Sequence, residues 1–351
     1  MLWEGKSKNS FKYHKPAIMS LSLVTGGAGF IGAHVVNELV SMGHKVVVVD
    51  DLSGGFEDYV NKDAIFIKGS VYDDKFITQL FSEYKFDYVY HLAAYAAEGL
   101  SHFIRRFNYN NNLVGSINLI NESIKHKVKC FVFTSSVAVY GAGQLPMTED
   151  TTPEPEDPYG VSKYAVELDL KSAHEMFGLN YVVFRPHNVY GEYQNIGDRY
   201  RNVIGIFMNQ LMLGKPLTIF GDGNQTRAFS YIKDVAPYIA NCVNVPRAYN
   251  QVFNIGADQE YTVNELAKTV MKVMGIKGEI RYLPARNEVV NAYSDHSKAK
   301  KIFGIKEGTF TTLEDGIRKM TEWAKTAGAR KSSRFSNIEI MEKLPGVWLE
   351  N

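Results

Sequence analysis

Two cysteines in 351 residues, Cys130 and Cys242, are too few for a disulfide framework. Cys130 opens an apolar run, Cys130-Phe131-Val132-Phe133, that reads as a buried strand, so the thiols are expected to be structural and the compartment reducing. An excess of one charge is also missing: 39 Lys and Arg oppose 38 Asp and Glu, a net charge of +1. That balance supplies no global field to draw nucleic acid or an anionic membrane, so neither is an expected partner, and any anionic ligand must be held by a local site. No stretch approaches the roughly 20 apolar residues that span a bilayer. The first 20 residues mix Trp3, Glu4, several Lys and Pro16 without the apolar centre of a signal peptide. The expectation is a cytoplasmic protein in which residues 1–19 form a flexible leader, with no internal repeat or long low-complexity tract.

What the chain has is enough apolar residue, 45%, to bury a large core. Short β-branched and apolar runs recur at 21–24, 46–49, 65–67, 88–90, 131–133 and 181–184, with helix-length segments between them. Runs this apolar, without clean alternation, suit strands covered on both faces, and their alternation with helices predicts an α/β fold with a Rossmann-type, doubly wound parallel sheet. Ligands of such sheets bind at the carboxyl ends of the strands. After about residue 189 the rhythm gives way to loops marked by Gly and Pro; helical patterns return around 234–243, 263–274 and 313–324, and a run at 252–255 is expected to rejoin the sheet. This divides the chain into a nucleotide-binding domain over 20–190, with a returning segment at about 228–256, and a smaller, discontinuous α/β lobe over 191–227 and 257–329. Residues 148–158, rich in acids and prolines, read as an exposed loop. The tail, 330–351, stays unplaced.

The first predicted strand runs directly into Gly26-Gly27-Ala28-Gly29-Phe30-Ile31-Gly32, and a helical segment follows. Such glycines permit a tight turn and close backbone approach, and the helix start offers free N–H groups to a pyrophosphate. The next strand ends in Asp50, roughly 20 residues on, where a carboxylate can take the hydroxyls of a ribose. It would repel a 2′-phosphate, which favours NAD over NADP. Asp51 could instead be the ribose ligand.

Tyr159 and Lys163 lie four apart behind Asp157 and Pro158, which suit the cap and first position of a helix, so both side chains should share one helix face. An ammonium beside a phenol favours the phenolate, which would make Tyr159 a general base. Upstream, the strand at 131–133 ends in Thr134-Ser135-Ser136, placing Ser136 where it could bond the oxygen that Tyr159 deprotonates; Ser135 is as readily a local turn residue.

These motifs, with His91-Leu92-Ala93-Ala94, Val139-Tyr140-Gly141 and Tyr159-Gly160-Val161-Ser162-Lys163, resemble in order and spacing the extended short-chain dehydrogenase/reductase family. Phe184-Arg185-Pro186-His187-Asn188-Val189-Tyr190-Gly191 and Gly221-Asp222-Gly223-Asn224-Gln225-Thr226-Arg227 resemble its nucleotide-sugar epimerases and dehydratases. The resemblance implies that Tyr159 is the base, Lys163 tunes it and holds the nicotinamide ribose, and Ser136 completes the triad. It implies NAD contacts from Gly26, Gly29, Phe30, Ile31, Gly32, Asp50 or Asp51, Ser70, Val71, Leu92, Ala93 and Ala94. Asn188 and Arg227 would hold the substrate diphosphate, and Ala292 would stand at a pocket wall where a small side chain admits an N-acetyl group. A homodimer formed through the helix from Tyr159 and the helix before Cys130 is implied as well. No metal site is expected.

The 4,6-dehydratases of the group carry Asp and Glu after the triad hydroxyl; here Val137 and Ala138 stand there, and neither transfers a proton. The implied activity is therefore 4-epimerisation of a UDP-sugar through a transient 4-keto sugar. Alternatives are a UDP-glucuronate decarboxylase, a dehydratase or a 3,5-epimerase, or a non-catalytic NAD sensor. The chain departs from the family at Ser70, where an Asp usually meets adenine, and after Ala94, where Glu98 is either a second acid–base group or a solvated loop carboxylate. His91 reads as a packed strand-end residue, and His187 has no assigned role. Arg199 and Arg201 read either as ligands of a carboxylated sugar or as exposed loop charges.

Overall fold

The computed structural model describes residues 19–143, 145–285, 291–331 and 334–349. The expected leader lies, except for residue 19, outside them. The seven apolar runs form one parallel sheet: β1 (Leu21–Thr25), β2 (Lys45–Asp50), β3 (Ile65–Lys68), β4 (Tyr88–His91), β5 (Cys130–Thr134), β6 (Tyr181–Pro186) and β7 (Gln251–Ile255). Their order is β7-β6-β5-β4-β1-β2-β3. The parity of the side chains shows why the runs lack alternation: Val46 and Val48 pack into one core with Val24 and Val132, while Val47 and Val49 pack into the other with Leu23 and Phe131. Both faces are apolar because both are covered. Among the covering helices are α1 (Phe30–Ser41), α2 (Asp74–Glu83), α3 (Gly115–Lys125) and α4 (Pro158–Phe177). The strand order reverses between β1 and β4, the place where an open α/β sheet leaves a crevice at its carboxyl edge.

Beyond β6 the smaller lobe is mixed. Leu217–Phe220 pairs in parallel with Ile280–Leu283, and Thr226–Ala228 lies between Glu260–Thr262 and Asn291–Ala292. The helix Val263–Met274 has the predicted bounds, since Thr262 and Glu265 close a capping box and Gly275 ends it in the left-handed conformation, φ +68°. The helix expected over 234–243 is broken into a 3-10 turn, Ile232–Asp234, a short α-helix, Ala236–Asn241, and a second 3-10 turn, Cys242–Asn244. Pro237 confines the α-helix to a fresh start, because it has no N–H for a continuing ladder.

The tail has a place after all. Trp348 is 4% exposed and packs edge-on against Tyr200 and Phe103, Phe335 packs on Tyr95 and Phe107, and the Glu339 carboxylate accepts the N–H groups of Arg106 and Phe107 at 2.9 Å each. Among the described residues no helix is long and apolar enough to cross a membrane.

Candidate functional site

The glycine loop takes its shape from close contacts. Gly26 has φ +71°, and a Cβ there would stand 2.6 Å from the Ala93 nitrogen; a Cβ on Gly32 would stand 2.0 Å from the Gly26 carbonyl oxygen. The loop is tied to the sheet by Gly26 N–H donating to Val49 O at 2.8 Å and Leu92 N–H to Thr25 O at 3.1 Å. Gly29 caps α1 without a side chain, and no acid occupies the first turn, so the positive end of the helix is left for an anion. Asp50 is buried at the end of β2. Its Oδ2 accepts from Ala28 N–H at 3.0 Å and its Oδ1 from Leu52 N–H at 2.8 Å, while burial pushes its carboxyl above the ordinary range. Gly29 N–H also bonds the carboxylate, which keeps a lone pair for a hydroxyl. Asp51 is exposed and caps the Ser53 N–H.

Asp157 caps α4 by accepting from Gly160 N–H at 2.9 Å, with Pro158 in the first turn, which sets Tyr159 and Lys163 at the crevice. Ser136 stands close enough to Tyr159 to favour its phenolate, and Ser136 Oγ accepts the Ala138 N–H at 3.1 Å. Lys163 Nζ donates to the Thr134 carbonyl at 2.8 Å. Burial, foremost, pushes the Tyr159 hydroxyl above its ordinary range and the Glu98 charge adds to it, whereas the Ser136 hydroxyl and the Arg201 charge pull it down. Burial also lowers Lys163 to about 7. Desolvation therefore outweighs the depression of Tyr159 expected from the Tyr–Lys pair.

One cleft of about 470 Å³ gathers these groups. Its lining includes Gly26, Gly29 through Gly32, Asp50, Asp51, Val71, Leu92, Ala93, Ala94, Ser136, Tyr159, Lys163, Asn188, Arg227 and Ala292. Ser70 is not among the lining residues, and its hydroxyl accepts the Tyr72 N–H at 3.3 Å. Asn188 is exposed at the end of β6, with φ +40° and its Nδ2 donating to the Ala228 carbonyl at 3.0 Å. Arg227 donates to the Thr226 carbonyl at 2.8 Å. Ser135 turns its hydroxyl to the buried Glu167 carboxylate, which also takes Nε of Arg185 at 3.0 Å. His91 is packed, bonded at 2.7 Å to both Thr25 and Ser116.

Two charged groups whose place the sequence leaves open face the cleft. Glu98 lines it close to Tyr159. Arg201 lines it too: its side chain is 17% exposed, bonds Asp198 from Nε at 2.7 Å and lies over the Tyr95 ring at 4.7 Å. Arg199 is half-buried and does not line the cleft. Sequence reasoning missed Tyr95, Phe220 and Gln225 at the cleft; the Gly-rich segment before Arg227 was the one signal for the last two. Among the described residues no group of three or more His, Cys, Asp or Glu could hold a metal ion. The glycine cradle, the unblocked helix start and a buried carboxylate at the end of β2 fit a dinucleotide whose pyrophosphate meets α1 and whose ribose meets β2.

Known proteins with this arrangement are similar along nearly the whole chain. The UDP-glucose 4-epimerase of Halalkalibacterium halodurans is 32% identical, over 86% of this chain and 95% of the other. The crystal structure of the Thermotoga maritima UDP-glucose 4-epimerase with UDP-glucose superposes with a TM-score of 0.83 at 36% identity, covering 88% of this chain and 99% of that one. A UDP-N-acetylglucosamine 4-epimerase of Methanobrevibacter ruminantium, solved with UDP-N-acetylmuramic acid, gives 0.79 at 31% identity, with 88% and 99% covered. A family model matches residues 22–256, from the first strand through the seventh, and by that match the chain belongs to the NAD dependent epimerase/dehydratase family.

Proposed function

We propose that the protein inverts C4 of a UDP-linked sugar through a transient 4-keto sugar. The observation that carries this reading is that Tyr159, Ser136 and Lys163 line the same cleft as Asn188 and Arg227. Bound NAD supplies the acceptor and donor of hydride. Tyr159 removes the proton of the 4-hydroxyl and later returns it, Ser136 orients that oxygen, and Lys163 holds the neighbouring ribose and offers positive charge to the phenolate. Arg227 pairs with phosphate oxygens and Asn188 donates to them, so the sugar turns over while its anchor stays fixed. Val137 and Ala138, which carry no proton, support epimerisation over dehydration.

The domain bounds inferred from sequence, with the cofactor on the 20–190 domain and the sugar under the smaller lobe, are part of the same reading. So is a homodimer: α4 exposes Val161, Leu168, Met176 and Phe177, apolar surface that a second copy would cover. Glu98 and Arg201 beside Tyr159 support a second reading, in which the sugar bears a carboxylate or reacts at a further carbon.

The test is to incubate the purified protein, without added NAD, with UDP-, GDP- and dTDP-sugars and identify products by NMR. The expected product is a C4 diastereomer of unchanged mass. Loss of carbon dioxide supports the second reading, and no conversion of any donor sinks both.

A further inference from the structure

A buried line of side chains, separate from Tyr159, runs from the cleft wall to the surface. His187 lines the cleft, and both it and His296 are 2% exposed. His187 Nδ1 lies 3.1 Å from the Ala228 carbonyl oxygen and its Nε2 lies 2.9 Å from His296 Nε2, with the rings stacked at 5.0 Å. His296 Nδ1 lies 2.8 Å from Asp258 Oδ1, and Lys300 Nζ bonds Asp258 Oδ2 at 2.7 Å. Gly256 makes the room, since a Cβ there would stand 2.5 Å from His187 Nε2.

The proton positions follow from what each partner can do. A carbonyl only accepts, so His187 carries its proton on Nδ1 and presents a lone pair at Nε2. Burial, then the charge of His296, holds His187 at about 3, consistent with a neutral ring. His296 must therefore donate from Nε2. The Asp258 carboxylate also only accepts, so the line is complete when His296 carries protons on both nitrogens. The charged groups bonded along it are Asp258 and, beyond it, Lys300, while His187, Ala228 and Gly256 face it without charge.

With both nitrogens engaged, His187 exchanges no proton with a substrate. What it holds is the Ala228 carbonyl, which also accepts from Asn188 Nδ2 and directly follows Arg227 in the chain. The histidine pair thus braces the backbone that carries both side chains assigned to the diphosphate.

We propose that His187 and His296 are positioning residues for the substrate diphosphate, a brace anchored on Asp258 that fixes the Ala228 carbonyl between Arg227 and Asn188. The proposal rests on the assignment of Asn188 and Arg227 made above. It is tested by calorimetric binding of UDP-glucose to the NAD-loaded Tyr159→Phe protein, in which turnover is blocked. Added to that parent, His296→Gln and Asp258→Asn, the latter at the surface, should each weaken binding about tenfold, an ordinary size for coupling between sites, with NAD content unchanged, while Asp258→Glu, which keeps the carboxylate, should restore most of it. Should His296→Gln not fold, the two Asp258 variants decide alone. Variants that bind like the Tyr159→Phe parent, while Arg227→Ala binds weakly, overturn the brace and leave the diphosphate assignment standing. Arg227→Ala binding unchanged overturns both.

Discussion

The burial that shields the Tyr159 phenol from water also opposes its ionisation, so its chemistry depends on charge brought to it rather than on its own acidity. Tyr159→Phe keeps the ring and removes the hydroxyl alone; turnover should fall about 10²- to 10⁴-fold with bound NAD retained, read by absorbance of the released dinucleotide. A variant with near-normal turnover would remove the phenol from the mechanism. Ala292, at the cleft wall, admits a different test. Ala292→Tyr should cut activity on an N-acetylated UDP-sugar roughly a hundredfold while sparing the unsubstituted one, the scale of steric discrimination in a pocket; an equal loss on both would mean that the wall lies elsewhere. Behind the cleft, Glu167 takes the Ser135 hydroxyl and pairs with Arg185 in a buried bidentate contact. Glu167→Gln leaves the guanidinium buried without its partner and should cost about 3–5 kcal/mol, measured by urea unfolding, whereas Ser135→Ala should cost about 1 kcal/mol.

Elements whose form is dictated locally are legible in the residues themselves. The β-branched runs suit only strands covered on both faces, Gly26 and Gly32 stand where a side chain would collide with backbone, and Asp157-Pro158 announces the start of α4. The features that escape a reading of the sequence depend on contacts between distant segments. Arg201 reads as a loop charge because only Asp198 is near it in sequence; in the fold the Tyr95 ring and Gly54, from distant segments, enclose it. The tail has no helical or strand period, since its anchors are separate aromatics docking on Tyr95, Phe103, Phe107 and Tyr200. That docking makes the tail a support for the wall that carries Tyr95 and Glu98. Trp348→Ala should therefore lower stability by about 3 kcal/mol and weaken UDP-sugar binding. A urea midpoint equal to the wild type would place the tail outside the cooperative unit.

Over the whole molecule, buried bases set how stability follows pH. His91 and His187 are each held at about 3 against an ordinary value of 6.5, burial being the main cause in both. In the unfolded chain both protonate below about pH 6.5, while in the fold both stay neutral down to about pH 3. The unfolded state then binds more protons, the slope of unfolding free energy against pH is positive, and stability falls as pH drops through this window. Each histidine contributes about 1.4 kcal/mol per pH unit where its proton uptake is complete. Lys163, lowered to about 7 from 10.5 by burial, extends the same sign upward, because the unfolded chain protonates it between those values. The NAD-free protein should accordingly be labile to mild acid and most stable above neutrality. Urea unfolding at half-unit steps from pH 5 to pH 7 should give a rising curve, and His91→Gln should flatten it by about one proton's worth. Its bonds to Thr25 and Ser116 can be kept in part by the amide, so the change of slope is separable from any uniform loss of stability. A wild-type curve that is flat over this range, or a His91→Gln curve parallel to it, would mean that these imidazoles take up protons within the fold and that their burial does not govern its acid limit.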